Sequence, residues 1–302
     1  MVDRSSNIAG SGIHIPVLLR ECMDYLAPRN GGVYVDGTLG LGGHTEAILV
    51  GSAPAGRVIA FEWDGDALSY AMLRLQKEVE RLTVVRRNFA ELKIGLAGLG
   101  IEEIDGLLVD VGLSSLQLDD GARGFSFQND AILDMRMDGR QDVSARSILA
   151  SATERELADI FYYYGEERQA RPIAAAVVES RKNEAIKTTK QLVTVIARAV
   201  PKRFHPKKIH VATKVFQALR IAVNTELENL ATILDDGVEF LKPGARFCVI
   251  SFHSLEDRIV KRKFKNNDKL KVVTARPVVP SRNEIEKNSR ARSARLRVAE
   301  KR

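Results

Sequence analysis

Val33-Tyr34-Val35-Asp36 runs without a break into Gly37-Thr38-Leu39-Gly40-Leu41-Gly42-Gly43. A short apolar run ending in a carboxylate, followed by four glycines in seven residues, predicts a strand that opens on a tight loop. In an open parallel sheet such a loop, at the carboxyl end of a strand, is where ligands bind. The chain around it must therefore supply further parallel strands and the helices that cover them.

It does so with an alternating rhythm. A helical stretch follows from about Thr45 to Val50, then the strand Arg57–Glu62. Asp66 is placed to cap a helix with Leu68, Ala71, Met72, Leu75 and Val79 on one face. Leu82–Val85 is a third strand. Ile104–Asp110 is a fourth, apolar enough to be buried on both faces. Strand and helix in alternation predict a doubly wound parallel sheet, an α/β fold. The rhythm fails over 113–144, which is rich in turn formers. Helices are expected at Glu154–Tyr164, at Glu166–Asn183, where Pro172 must sit in a first turn or kink the helix, and at Thr189–Val200 capped by Thr188 or Thr189. A basic loop, PKRFHPKKIH, precedes a long helix from Ala212 to about Leu241. The sheet resumes with LKPGARFCVISFHS. The expected organisation is one α/β domain formed by 1–113 and 212–302, with a helical domain inserted at 114–211.

Charge is uneven. The chain of 302 residues carries 46 Lys+Arg and 39 Asp+Glu, a net of +7. Residues 261–302 hold 15 of the cations and 4 of the anions, a local +11; the other 260 residues hold 31 and 35, a net of −4. A near-neutral body with a basic tail points to a polyanionic partner, or to a solvated end. Cys22 and Cys248 are too few to staple the chain or build a zinc site, and fit core positions in a reducing cytosol. MVDRSSNIAGSG contains no apolar secretory core, and no apolar run spans a bilayer, so a cytoplasmic protein away from membranes is expected.

The glycine loop is selective about its ligand. No Gly-Lys-Ser/Thr follows, so it is not a P-loop. Thr45 stands where a dinucleotide fingerprint needs its third glycine, and Asp36 before the loop repels a pyrophosphate. A ligand with an amino group and no phosphate suits it better, and S-adenosylmethionine is such a ligand. Glu62 ends the second strand 20 residues after Gly42, the spacing of an acid that accepts ribose hydroxyls. Trp63 and Phe89 are placed to border an adenine or to pack in the core. His44, at the helix start, lines the ligand or sits at the surface. Asp110 ends the fourth strand, where enzymes that methylate exocyclic amines carry a similar acceptor, although the Pro-Pro-aromatic that usually follows is missing here.

Longer blocks carry a resemblance. HIPVLLRE (14–21), DGTLGLGGHT (36–45), VDVGLSSLQLDDGARGFSF (109–127), LDMRMD (133–138), GEER (165–168), FQALRIAVNTEL (216–227), ISFHSLEDRIVKRKF (250–264) and NSRARSARLRVAEK (288–301) together resemble the bacterial small-subunit (16S) ribosomal RNA cytosine-N(4)-methyltransferase family, the MraW/RsmH type. The likeness runs from His14 to Lys301. It implies a Rossmann-like class I S-adenosylmethionine-dependent methyltransferase sheet with an inserted helical domain for substrate recognition. The implied reaction is methylation of the exocyclic amine of a cytosine in the decoding region, with S-adenosylmethionine as cofactor and no metal. The implied partner is small-subunit ribosomal RNA or the assembled small subunit, and a homodimer is compatible with it.

The family's cofactor contacts fall on Gly42, Gly43, His44, Glu62, Phe89, Asp110 and Gln117. Asp110 and His253 are the catalytic candidates: one accepts from the amine, the other serves as a base or holds the SFHSLEDR turn. Leu116 replaces a common Pro, Val211 and Lys214 replace Pro and Arg, and Pro172 interrupts a usually basic stretch. Phe125 and Phe127 are candidates to stack on bases or to anchor their loop, and LDMRMD to brace the domains against each other through buried Arg–Asp pairs. Basic side chains from Arg181 to Lys208, Lys261–Lys265 and the Arg-rich tail are candidates to hold phosphates. Another RNA or a protein acceptor, an NAD-dependent oxidoreductase and a non-catalytic RNA-binding protein are the competing readings.

Overall fold

The structure is a computed structural model that describes residues 15–114, 116–117 and 121–302. The polar segment 1–13, His14, Ser115 and residues 118–120 of the motif blocks lie outside it. Two compact units divide the chain: Met1–Ser115 with Leu230–Arg302, and Leu116–Asn229.

The first unit is a seven-stranded sheet in the order β3-β2-β1-β4-β5-β7-β6. Its strands are β1 (Val33–Asp36), β2 (Arg57–Phe61), β3 (Leu82–Val85), β4 (Ile104–Asp110), β5 (Leu241–Ser251), β6 (Leu270–Val272) and β7 (Arg295–Lys301). The first five run parallel, while β7 lies antiparallel between β5 and β6. This is the Rossmann-like sheet that the resemblance implies. The alternation of β4 explains its apolar run: Leu108 packs in the core on one face, Leu107 and Val109 in the core on the other. The first face is covered by α1 (Leu19–Leu26), α2 (Gly43–Gly51) and α3 (Gly65–Arg74). The second is covered by α4 (Leu92–Gly98), α10 (Glu226–Phe240) and α11 (Ser254–Asn266). Cys22 and Cys248 are free thiols in the first core, and burial pushes the Cys248 thiol up to about 12.

The second unit contains α5 (Ala145–Ser151), α6 (Glu154–Tyr163), α7 (Ala170–Asn183), α8 (Thr189–Ala199) and α9 (Thr213–Asn224). Thr153 caps α6 and Thr188 caps α8, each in a reciprocal box with the side chain three residues on, worth about 1 kcal/mol per cap. Buried Asn224 accepts the N–H of Met137 and donates to the carbonyl of Met135, pinning the irregular loop to α9. Within that loop Arg136 clasps Asp134 and Arg140 clasps Asp138, local and partly exposed pairs inside the second unit rather than a buried brace between domains. Phe127 packs against His210 and Phe216, and Phe125 is buried beneath Arg123, so both anchor the loop. Among the described residues no helix is long and apolar enough to cross a membrane.

Four expectations need correction. The helix expected over Ala212–Leu241 is two, broken where Thr225 turns left-handed (φ 47°), and the units divide at 229 rather than 211. The α3 cap is Asp64, whose carboxylate takes the N–H of Asp66. The helix then ends at Arg74 and a 3-10 turn leaves Val79 half exposed. The helix before Asn183 starts at Ala170, because Glu166 adopts φ 48°, so Pro172 lies in its first turn and does not kink it. The basic tail is no appendage: it contributes β6, α12 (Arg282–Lys287) and β7, with Leu296 and Val298 in the core. Its arginines alternate with apolar residues, a strand pattern that reads as mere charge in a composition count.

Candidate active site

β1 pairs with both β2 and β4, so strand order reverses beside it and a crevice opens at the carboxyl ends of β1 and β4. The glycine loop bridges that point. Gly37 N–H donates to Leu108 O at 2.8 Å and Leu39 N–H to Phe61 O at 2.9 Å, tying the loop to β4 and β2. Asp36 is fully buried: Oδ1 accepts Thr38 N–H at 3.0 Å and Oδ2 accepts the Thr45 hydroxyl at 2.7 Å. It organises the loop instead of facing a ligand's amino group. Gly42 holds φ 81° ahead of α2, a conformation that L side chains rarely adopt.

Glu62, just beyond β2, reaches back to this loop. Its Oε2 accepts Gly40 N–H at 2.9 Å and its Oε1 accepts Asp64 N–H at 2.8 Å. The carboxylate keeps acceptor capacity for a further donor. Burial pushes the carboxyl up to about 7 despite these bonds. Phe89, in the 3-10 turn after β3, packs beside Gly37.

Asp110 closes the crevice from β4. Its backbone N–H donates to Thr38 Oγ1 at 2.7 Å and its Oδ1 accepts Gly112 N–H at 3.0 Å. Oδ2 stands 3.9 Å from His44 Nδ1. The other ring nitrogen, Nε2, lies 3.0 Å from the carbonyl of Val17, which can only accept, so Nε2 carries the hydrogen. Burial raises the Asp110 carboxyl above its ordinary value, and the nearby His44 opposes the rise.

Gly42, Gly43, His44, Glu62, Phe89 and Asp110 thus gather around one crevice. Gln117 is buried in the second unit. His253 follows β5, whose Ile250 pairs with Asp110. It caps α11: Nδ1 takes Glu256 N–H at 3.4 Å, and Nε2 lies 2.9 Å from Glu256 Oε1 without the alignment of a hydrogen bond. Glu256 Oε2 in turn accepts the N–H of Phe252 and of His253. The imidazole therefore has a structural task in the turn.

Sequence reasoning missed the segment 15–18, which straps the loop. Val17 holds His44, and a Cβ on Gly43 would stand 2.2 Å from Pro16 Cγ. The C-terminal segment latches the strap from outside: Glu284 accepts Leu18 N–H at 2.7 Å and Asn288 donates to Ile15 O at 3.1 Å. Residues some 270 positions apart carry no local signal of such a contact.

The crevice suits S-adenosylmethionine. Its rim offers carboxylates to a cation and a diol, and bare glycine backbone to a close-lying ligand. Glu62 would hold the ribose, the Gly42–His44 turn the amino-acid end, and Phe89 the adenine side.

A family model described as the MraW methylase family matches residues 11–302. Ribosomal RNA small subunit methyltransferase H of Desulfotalea psychrophila is 68% identical over 289 residues, covering 96% of this chain and 98% of that protein. Its namesake in Geotalea uraniireducens is 50% identical over 306 residues, covering 95% and 98%. The counterpart in Syntrophus aciditrophicus is 48% identical, covering 95% and 97%.

Proposed function

The chain belongs to the MraW methylase family, and from that membership we propose that it methylates the exocyclic N(4) amine of a cytosine in small-subunit ribosomal RNA. It is an S-adenosylmethionine-dependent methyltransferase that acts on RNA. The observation that carries the finer reading is Asp110, an acceptor at the end of β4 beside the loop that would hold the cofactor.

When bound, S-adenosylmethionine supplies a methyl carbon on a sulfonium, a leaving group that is already activated. The protein's work is to position and to accept. A cytosine amine is a weak nucleophile because its lone pair is delocalised into the ring. Asp110 Oδ2 accepts a hydrogen bond from that amine, draws its lone pair out of the ring and takes up the proton released. Gly112 N–H on Oδ1 holds the carboxylate in orientation, and His44 nearby favours its charged form. His253 acts by holding the β5–α11 corner beside it. The helical second unit recognises the RNA around the target base.

The test is transfer of labelled methyl groups to small subunits from a strain lacking this gene, followed by nucleoside analysis. N(4)-methylated cytidine supports the reading, while label on another nucleoside or on a protein overturns it. Asp110→Asn should lower single-turnover transfer by roughly 10²–10⁴-fold. Normal turnover in a folded, cofactor-binding variant would remove Asp110 from the mechanism.

A further inference from the structure

Beyond the carboxyl end of β5 the first unit carries an open cavity of about 470 Å³. Its walls include Phe252 and Ser254 at the β5–α11 corner and Val279, Arg292 and Arg295 from the C-terminal segment. Ligand sites typically enclose about 300–1,000 Å³.

Two guanidiniums reach this space in different states. Arg295 Nη1 lies 3.1 Å from Asp257 Oδ2 and the side chain is 44% exposed. The same carboxylate already holds Arg297, with Nε 2.6 Å from Oδ1. Two cations share one anion, so the group keeps a net positive charge. Arg292 is exposed and has no side-chain partner among the described residues. Glu256, in the first turn of α11, is 2% exposed and committed to the backbone of Phe252 and His253.

Place gives the charge its meaning. Ile250 of β5 pairs with Asp110 of β4, and the Phe252 ring stands 2.6 Å from where a Cβ on Gly112 would lie. Phe252 is therefore a wall shared by the cavity and the Asp110–Gly112 turn. An aromatic wall against the turn of the amine acceptor, in a cavity that guanidiniums also line, matches a nucleotide whose phosphate lies away from its reacting base.

We propose that this cavity binds a backbone phosphate of the acceptor RNA through Arg292 and Arg295, and so sets the register of the strand entering the site. The proposal rests on the reading of RNA as methyl acceptor. Arg292 is the specific contact, since Arg295 also serves Asp257.

Titration of the full chain with fluorescein-labelled single-stranded RNA, at salt from about 50 to 200 mM, tests it. Arg292→Gln should weaken binding roughly 3- to 10-fold at low salt, a charged hydrogen bond at an exposed position. It should also reduce the slope of log affinity against log salt by about 0.7, one phosphate contact. Arg292→Lys should keep the slope and lose part of the affinity. Lys77→Gln removes the same charge from an exposed position before β3, at the amino end of the sheet, and should change neither. In methyl transfer, Arg292→Gln should raise KM for RNA and leave kcat and the Kd for S-adenosylmethionine unchanged. An unaltered affinity and slope in Arg292→Gln, or an equal loss in Lys77→Gln, overturns the site. If RNA binds through Arg292 but no cytosine is methylated, the site stands and the functional reading falls.

Discussion

Glu62 Oε2 accepts the N–H of Gly40 at 2.9 Å, so the residue just beyond β2 holds the loop that follows β1. One carboxylate therefore has two tasks: it shapes the glycine loop and it presents lone pairs to whatever lies there.

Its protonation links both tasks to pH. The folded carboxyl is raised by burial to about 7 from an ordinary 4.5. Between those values the native protein keeps a proton that the unfolded chain has lost. This contribution to stability is fully present below 4.5 and is lost as pH rises toward 7. Ribose hydroxyls donate to the charged form, so affinity for S-adenosylmethionine should rise over the same interval, with proton release on binding. Glu62→Gln should bind about 10- to 100-fold more weakly at neutral pH and lose most of the dependence. Calorimetric titration across the interval checks this, and a flat wild-type profile contradicts it.

Gly43→Ala tests the strap. The added methyl would meet the Pro16 ring at 2.2 Å, and a pyrrolidine cannot rotate away. Segment 15–18 must shift, and the His44 bond to Val17 O shifts with it. A cost of about 1–3 kcal/mol is expected, as for overpacking elsewhere. That is a fall in Tm of roughly 3–10 °C for a domain of this size, read by scanning calorimetry. A Tm within about a degree of the parent would show that Pro16 yields freely.

For His253, capping and base catalysis predict different variants to succeed. His253→Ala removes the cap and should cost about 0.5–2 kcal/mol, whereas His253→Asn restores an acceptor and most of the stability. The Asn variant should also retain turnover. A folded His253→Asn protein slowed about a hundredfold would instead make the imidazole a base.

The basic tail depends on one acid. Although burial raises the Asp257 carboxyl, Arg297 and then Arg295 outweigh it and hold the group below its ordinary value. A carboxyl so depressed stabilises the fold above its unfolded pKa and loses that contribution in acid. Asp257→Ala leaves Arg297, 7% exposed, without its partner. The expected loss is about 3–5 kcal/mol, measured by urea unfolding at neutral pH. An unchanged midpoint would mean that water replaces the carboxylate.

Much of the sheet was legible because its signals are local. β1, β3 and β4 occupy the residues that the sequence pattern assigns to them, and for β4 the reason is that a strand buried on both faces is written as a continuous apolar run. The strand-end positions of Glu62 and Asp110 follow from the same pattern. The break at Thr225 was not legible, because the residues on either side are sound helix formers and only the backbone turn at φ 47° separates α9 from α10. β7 was hidden for another reason: its alternating arginines look like solvated charge until Asp257 is brought beside them.

The chain by itself determined the α/β class, the glycine loop, the acids at the strand ends and, through its motif blocks, the family. These are properties of neighbours in sequence, where spacing and residue type act over a few positions. Only the tertiary structure decided that Asp36 is spent inside its loop, that His253 caps a helix and that the C-terminal segment latches the strap through Glu284 and Asn288. The reason is physical. A polar side chain's role is set by the partner that satisfies it once buried, and that partner is chosen by the fold rather than by distance along the chain.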